Sequence, residues 1–388
     1  MGASGMMCDA MEALEQIGGG AIINGVCSWD GIPHSTRTVD PKLSLPDISR
    51  RVMDLCKELF KGWSELDDCC FTVERVSGGI TNLLLKVSVK DVSGDESRVT
   101  VRLYGPNTDY VIDRERELQA TKHLSAAGFG AKLLGVFGNG MVQSFITART
   151  LKPADLRVPN LAAAIANQLR RFHAVEIPGS KEPQLWNDIF KLYENASILQ
   201  FADAEKQRIY ETISMKDFYG EIIEIKELTA LVNSPVVFAH NDLVFGNLMF
   251  NDEEEKLYMI DFEYGAYGYR GFDIANHFIE YAGYDCDYNL YPNLEEQYHF
   301  FRHYLQPGNP HEVPVEELEA LYVESTTFML VSHIFWALWA LIQAKMSRID
   351  FDYLGYFSVR YEEYKRQKET CCSLARSYVS GMPRSLSF

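Results

Sequence analysis

Apolar residues recur every three or four positions between Leu45 and Trp63 (Ile48, Val52, Leu55, Leu59), with Pro46 where a first turn tolerates it; this period predicts a surface helix. Before it, residues 1–45 mix Gly, Ser, Pro and short apolar groups without a sustained period, and Gly18-Gly19-Gly20 breaks any helix begun at Ala10, so a mobile extension is expected. Phe71 to Val89, Arg98 to Tyr104 and Leu133 to Ile146 alternate or cluster β-branched and aromatic residues between Gly-containing turns, as strands do, and a helix from Asp113 to Ala127 interrupts them. Beyond residue 149 the helical period dominates. Leu161 to Val175, Glu205 to Val232, Glu295 to Leu305, Val315 to Ile349 and Ser358 to Tyr378 read as helices, with Val236 to Ile260 as a strand-and-loop exception. The plan is α+β and two-lobed: a sheet-rich lobe over 46–149, a larger helical lobe over 150–388, and a cleft between them.

Composition narrows the partners. The 388 residues are 47% hydrophobic and carry 54 Asp and Glu against 37 Lys and Arg, a net charge of -17 that repels nucleic-acid phosphates and anionic lipid surfaces. Eight cysteines lack the C-x-x-C spacing of zinc sites and the density of a disulfide scaffold, which fits a reducing cytoplasm. No basic stretch followed by an apolar run marks a signal peptide, and Met6 stands where a myristoylation signal needs Ser or Thr. No uncharged stretch reads as the ~18–20 apolar residues of a bilayer span, so no membrane insertion is expected.

The chemistry concentrates after the apolar run Val236 to Ala239. His240-Asn241-Asp242-Leu243-Val244-Phe245-Gly246-Asn247 places an Asp and an Asn five residues apart on a loop leaving a strand. Phosphoryl transfer needs a carboxylate to take the acceptor hydroxyl's proton and oxygen ligands for magnesium, and this loop presents both. Tyr258-Met259-Ile260-Asp261-Phe262-Glu263 then ends an apolar strand in an acid, a second metal-holding carboxylate. A lone H-x-D is usually a turn or a cap; H-x-D-x-x-x-x-N followed by Ile-Asp-Phe-Glu is far more specific.

From about Phe71 to Tyr364 the chain resembles the choline/ethanolamine kinases, of the aminoglycoside phosphotransferase superfamily with its protein-kinase-like fold. The resemblance implies Asp242 as the catalytic base and Asn247 and Asp261 as ligands of the magnesium that bridges the ATP phosphates. His240 and Asp273 would support the loop, Asp273 by accepting hydrogen bonds. In the first lobe, Ser77-Gly78-Gly79-Ile80-Thr81-Asn82 matches the loop that covers ATP, although alone it reads as readily as a plain Gly-rich hairpin. Arg102 takes the place of the phosphate-contacting Lys, Glu117 rather than Glu115 is its pairing acid, and Ser144, Phe145 and Ile146 form the hinge that holds adenine through backbone groups.

On the acceptor side, Glu263 to Glu280 resembles the family signature, and the positions matching its ammonium site are Tyr264, Glu280, Trp336, Trp339 and Tyr356. Without the resemblance, Glu280 reads as a solvated helix acid and the Trp pair, sharing a helix face at i and i+3, as core; aromatic faces around a carboxylate also hold an organic ammonium. The recognised group is then an amino alcohol. Ethanolamine's ammonium has three N–H donors that need acceptors whereas choline's has none. Tyr281-Ala282-Gly283 replaces the Trp that choline kinases tend to place after the acid, and Val244 replaces their Gln, both pointing to ethanolamine. Asp285 and Asp287 are candidates for the additional acceptors. The implied reaction makes phosphoethanolamine from ATP and ethanolamine for phosphatidylethanolamine synthesis. Choline as acceptor and a catalytically inactive kinase-fold binding module are the rival readings, and the resemblance leaves a homodimer open.

Overall fold

The computed structural model describes residues 31–76, 82–90, 94–105, 112–347 and 349–381. The chain divides into two compact units, Met1–Thr147 and Ala148–Phe388.

The first unit runs β1 (His34–Ser35), α1 (Leu45–Leu59), β2 (Phe71–Val76), β3 (Asn82–Lys90), β4 (Glu96–Tyr104), α2 (Arg114–Ala126), β5 (Leu133–Phe137) and β6 (Gly140–Ser144). The strands form one six-stranded sheet in the order β1-β5-β6-β4-β3-β2, antiparallel except for the β1–β5 pair. Ile48, Val52, Leu55 and Leu59, the predicted stripe of α1, are buried in one cluster with Leu85, Val87, Val99 and Val101 of the sheet. The Ser44 side chain caps the helix at Asp47 N, and Phe60 leaves it in extended conformation, short of the expected end at Trp63. Residues 1–30 of the expected mobile extension lie outside the described residues. The rest is anchored at two points: β1 joins the sheet, and Val39, buried, exchanges two hydrogen bonds with the Asn139 side chain, at 2.9 and 2.8 Å. A single side chain grips the backbone there, so no periodic pattern marks it.

The second unit contains β7 (Arg149–Thr150), α3 (Pro159–His173), α4 (Leu185–Ser197), α5 (Ala204–Glu211), α6 (Met215–Leu231), β8 (Val236–Ala239), β9 (Leu248–Asn251), β10 (Lys256–Met259), β11 (Ala266–Tyr269), α7 (Arg270–Ile279), α8 (Leu294–Leu305), α9 (Val315–Met346) and α10 (Tyr353–Val379). The single helix expected over Glu205 to Val232 is two: the first ends at Glu211 with Thr212 as its C-cap, and Ser214 caps the second by accepting from Asp217 N. α4 was not anticipated, and α10 begins five residues before Ser358, capped by Asp352. α9 is buried on nearly every side, against α4, α6, α7, α8 and α10. It is the one helix among the described residues long and apolar enough to cross a membrane, contrary to the expectation from sequence, but 89% of its most apolar window is buried inside the protein. A helix surrounded by other helices needs no polar face.

Candidate active site

Two short β-pairings set the central loop of the second unit. β8 pairs with β11 and ends at Ala239, so His240 to Asp242 leave its end; the β9–β10 hairpin follows from Asn247 to Ile260. Asn241 and Asp261 hold φ of 63° and 65°, the left-handed region that Asn and Asp enter most readily after Gly. Asp273, fully buried on α7, clamps the loop. Its carboxylate accepts from His240 N at 2.7 Å, from Asn241 N at 2.8 Å and from His173 Nε2 at 3.0 Å. Burial works to raise this carboxyl, but His173 and His240 outweigh it and hold the pKa below its ordinary value of 3.8. His240 is buried between Phe172 and Phe262, donates from Nε2 to the Ile260 carbonyl at 3.0 Å, and is kept neutral chiefly by burial.

Within the loop, Asn247 Nδ2 donates to the Asp242 carbonyl at 2.9 Å and to Asp242 Oδ2 at 3.0 Å. Ile260 N donates to the Asn247 carbonyl at 3.0 Å, and this bond brings Asp261 beside Asn247. The expected base and both expected metal ligands are therefore gathered by one hydrogen-bonded loop. With its nitrogen turned to Asp242, Asn247 has its oxygen left for a cation. A carboxylate oxygen of Glu263, which sequence reasoning gave no role, lies within 4.8 Å of one from Asp261. Its spacing, two residues beyond Asp261 in a buried run, was the available signal. Burial pushes Asp242 well above the carboxylate range, and the charges of Asp261, Glu280 and Glu263 add to the rise while Asn247 opposes it. A carboxyl with this raised affinity for a proton suits a general base.

The acceptor residues form a wall next to this loop. Trp336 and Trp339 on α9 stand with ring centroids 5.4 Å apart, and Tyr264 lies 5.4 Å from Trp336. Trp339 Nε1 donates to Tyr264 Oη at 2.8 Å, and the Asn241 side chain donates to the Tyr264 carbonyl at 2.9 Å, tying wall to loop. Burial above all, then Glu263 and Asp242, raises the Tyr264 phenol well above its ordinary value, so it stays neutral. Glu280 does not continue α7, as expected, but sits at its C-cap in a tight turn that Gly283 closes at φ 66°. Burial pushes its carboxyl up to about 7 against the opposing charge of Arg360. Tyr356, on the first turn of α10, accepts from Arg360 Nη1 at 3.2 Å. Asp285 and Asp287 are both exposed, and Asp287 is spent capping a turn at Asn289, so neither is the additional acceptor that sequence suggested.

In the first unit, Arg102 of β4 and Glu117 of α2 are buried and paired at 3.4 Å, while Glu115 is exposed. Arg114 makes a closer contact to Glu117, 2.7 Å, stacks 4.3 Å from the Tyr104 ring and donates to Asn82 Oδ1 at 3.2 Å. Sequence reasoning noted Asp113-Arg114 only as part of the likeness to ethanolamine kinases and gave Arg114 no role beside Glu117. Ser77, Gly78 and Gly79 lie outside the described residues. Ser144 ends β6, its N–H donating to the Lys132 carbonyl at 2.8 Å, and Phe145 N donates to the Arg98 carbonyl at 3.3 Å. Those two N–H groups are spent within the unit; Ile146, beyond the strand, makes no backbone hydrogen bond among the described residues.

Residues 73–365 match the family model described as choline/ethanolamine kinase. A probable ethanolamine kinase of Arabidopsis thaliana is 65% identical over 349 residues, covering 90% of this chain and 93% of that protein. A choline/ethanolamine kinase of Homo sapiens is 36% identical over 398 residues, covering 95% of this chain and all (100%) of that protein. Among solved structures, an ethanolamine kinase of Plasmodium vivax superposes with a TM-score of 0.71 at 30% identity, covering 84% of this chain and 95% of that one. The sheet-rich first unit and larger helical second unit are thus the α+β plan of a kinase-like fold. The chain belongs to the choline/ethanolamine kinase family.

Proposed function

We propose that this protein is an ethanolamine kinase, transferring the γ-phosphoryl group of ATP to the hydroxyl of ethanolamine to give ADP and phosphoethanolamine. The observation that carries the reading is the adjacency of two things. The Asp242–Asn247 loop is clamped by Asp273, and Tyr264, Trp336 and Trp339 form an aromatic wall tied to that loop through Asn241.

Ethanolamine's ammonium is held against the wall by cation–π attraction and by Glu280. That places its hydroxyl at Asp242, which orients it and takes its proton as the new O–P bond forms. Asp273, by fixing the backbone of His240 and Asn241, keeps Asp242 in place. The oxygens of Asn247, Asp261 and Glu263 are hard donors without sulfur or imidazole among them, a set that fits magnesium. Bound magnesium supplies charge neutralisation on the transferring phosphoryl group. Arg102, held by Glu117, contacts the phosphates, and the Ser77 to Asn82 segment covers them. Ile146 meets adenine through its backbone.

Ethanolamine is favoured over choline because each N–H donated to an acceptor is lost on methylation, whereas the aromatic wall suits both. The related proteins named for both substrates make choline the second acceptor to test. The six cysteines among the described residues (56, 69, 70, 286, 371 and 372) are unpaired, which supports a reducing cytoplasmic compartment. The site is tested by Asp242→Ala and Asp261→Ala. Each is expected to lower turnover by at least ~10²–10⁴-fold, the scale of a general base, with the circular dichroism spectrum and melting retained. Turnover near wild type in either variant would remove the assignment.

A further inference from the structure

Arg360 stands behind the aromatic wall and has no place in the reaction described so far. It is 1% exposed, and among the described residues no carboxylate lies within the 4 Å of an ion pair. A buried cation without a direct counter-ion is costly and persists only where something compensates it. Its hydrogen bonds all go to neutral groups: Nη1 donates to Tyr356 Oη at 3.2 Å, and Nη2 donates to the Ser332 carbonyl at 3.0 Å and to Ser332 Oγ at 3.1 Å. Ser332 Oγ in turn donates to Asn276 Oδ1 at 2.8 Å, the same oxygen that accepts from Trp336 Nε1 at 2.6 Å. One guanidinium thus fixes Tyr356 directly and Trp336 through two intermediates. The carboxylate that feels its charge is that of Glu280, whose two carboxylate oxygens accept no hydrogen bond from any described residue.

We infer that Arg360 is the positioning residue of the acceptor site: its guanidinium fixes Tyr356 directly and Trp336 through Ser332 and Asn276, and makes no hydrogen bond to Glu280, leaving both carboxylate oxygens for the N–H groups of a primary ammonium. A direct ion pair would charge Glu280 equally well but occupy the oxygens that the substrate needs. This rests on the ethanolamine reading above and adds to it the group that controls the charge of the ammonium-binding acid.

Among the groups facing the pair, Glu280 and Asp242 are the carboxyls that burial raises. Burial raises Tyr284, Cys286 and Tyr288, from the segment after α7, and Tyr356 on α10, so all four stay neutral. His333 on α9 is held well below 6.5, first by burial and then by Arg360 and Arg366, and is neutral too. Asp242, from the loop after β8, is the remaining carboxyl. For Glu280, burial raises the pKa to about 7 and Arg360 works against the rise. Removing the guanidinium therefore shifts the titration upward and lowers the charged fraction at neutral pH.

The test is the pH profile of kcat/KM for ethanolamine, with KM for ATP measured alongside, in wild type, Arg360→Gln, Arg360→Lys and Glu280→Gln. In Arg360→Gln the acid limb is expected to move up by about one pH unit, with about a fivefold loss of kcat/KM at pH 7 and an unchanged KM for ATP. Arg360→Lys keeps the charge and loses the hydrogen bonds to Tyr356 and Ser332, so its limb stays while KM for ethanolamine rises. This variant carries the test if Arg360→Gln does not fold. An acid limb unmoved in Arg360→Gln, or a wild-type KM for ethanolamine in Arg360→Lys, overturns the inference. Glu280→Gln separates the two levels. If it binds ethanolamine as wild type does, the acceptor-site reading fails; if it loses ethanolamine while Arg360→Gln is unaffected, only the role of Arg360 fails.

Discussion

Replacing Asp273 with Asn removes one charge and changes no shape, so it isolates what the clamp contributes. The carboxylate accepts three hydrogen bonds, at 2.7, 2.8 and 3.0 Å, from His240 N, Asn241 N and His173 Nε2. An amide oxygen serves one or two of these donors, and the amide NH₂ is turned against the third. Bonds to a charged acceptor contribute about 1.5–3 kcal/mol each, and leaving a buried donor unpaired costs about 1–3 kcal/mol. The expected loss is about 3–5 kcal/mol, the range for breaking one side of a buried ionic network. Turnover should fall as well, on the order of a hundredfold, since a loop displaced by about 1 Å misplaces the base at Asp242.

The pH dependence has a definite sign. The folded Asp273 pKa lies below the ordinary value of 3.8, so its stabilisation is fully present above that value and is lost as pH falls through the folded pKa. The gap in stability between wild type and Asp273→Asn should be constant near neutrality and shrink below pH 3.8. Urea denaturation at several pH values, with kcat measured on the same preparations, reads both effects. A variant with wild-type midpoint and wild-type kcat would refute the clamp.

At the acceptor wall, Trp339→Phe removes the N–H bonded to Tyr264 Oη at 2.8 Å and the larger face offered to the ammonium. A cation–π contribution of about 0.5–2 kcal/mol corresponds to a two- to thirtyfold rise in KM for ethanolamine. KM for ATP should not change, and an equal rise in both would place Trp339 in general packing rather than in the acceptor site.

Much of this was legible because it is periodic or chemically unusual. The stripe of α1 and the strands flanking 77–81 follow from apolar spacing, and the His240 to Asn247 spacing with Asp261 gave the central loop directly. What sequence did not reveal are polar side chains whose partners come from elsewhere in the chain. Asn276 sits in a helix buried from Gly271 to Ile279 and serves both Ser332 and Trp336; Asn241 ties the loop to Tyr264; Arg360 looks from sequence like one more surface arginine of α10. Their roles depend on contacts 23 to 60 residues away, which no local pattern encodes. Asp285 and Asp287 mislead in the opposite way, since acidic residues near a cation site are as often turn caps and solvated charges, and Asp287 is a cap.

The most direct test of the central claim is phosphoryl transfer from ATP in the presence of magnesium, comparing kcat/KM for ethanolamine, its N-methyl intermediates and choline. Each ammonium N–H bonded to an ionised acceptor is worth about 1.5–3 kcal/mol, so choline should be disfavoured by about tenfold or more, with the intermediates falling in order between. Equal or better use of choline would contradict the ethanolamine reading, and no transfer to any of them would contradict the kinase.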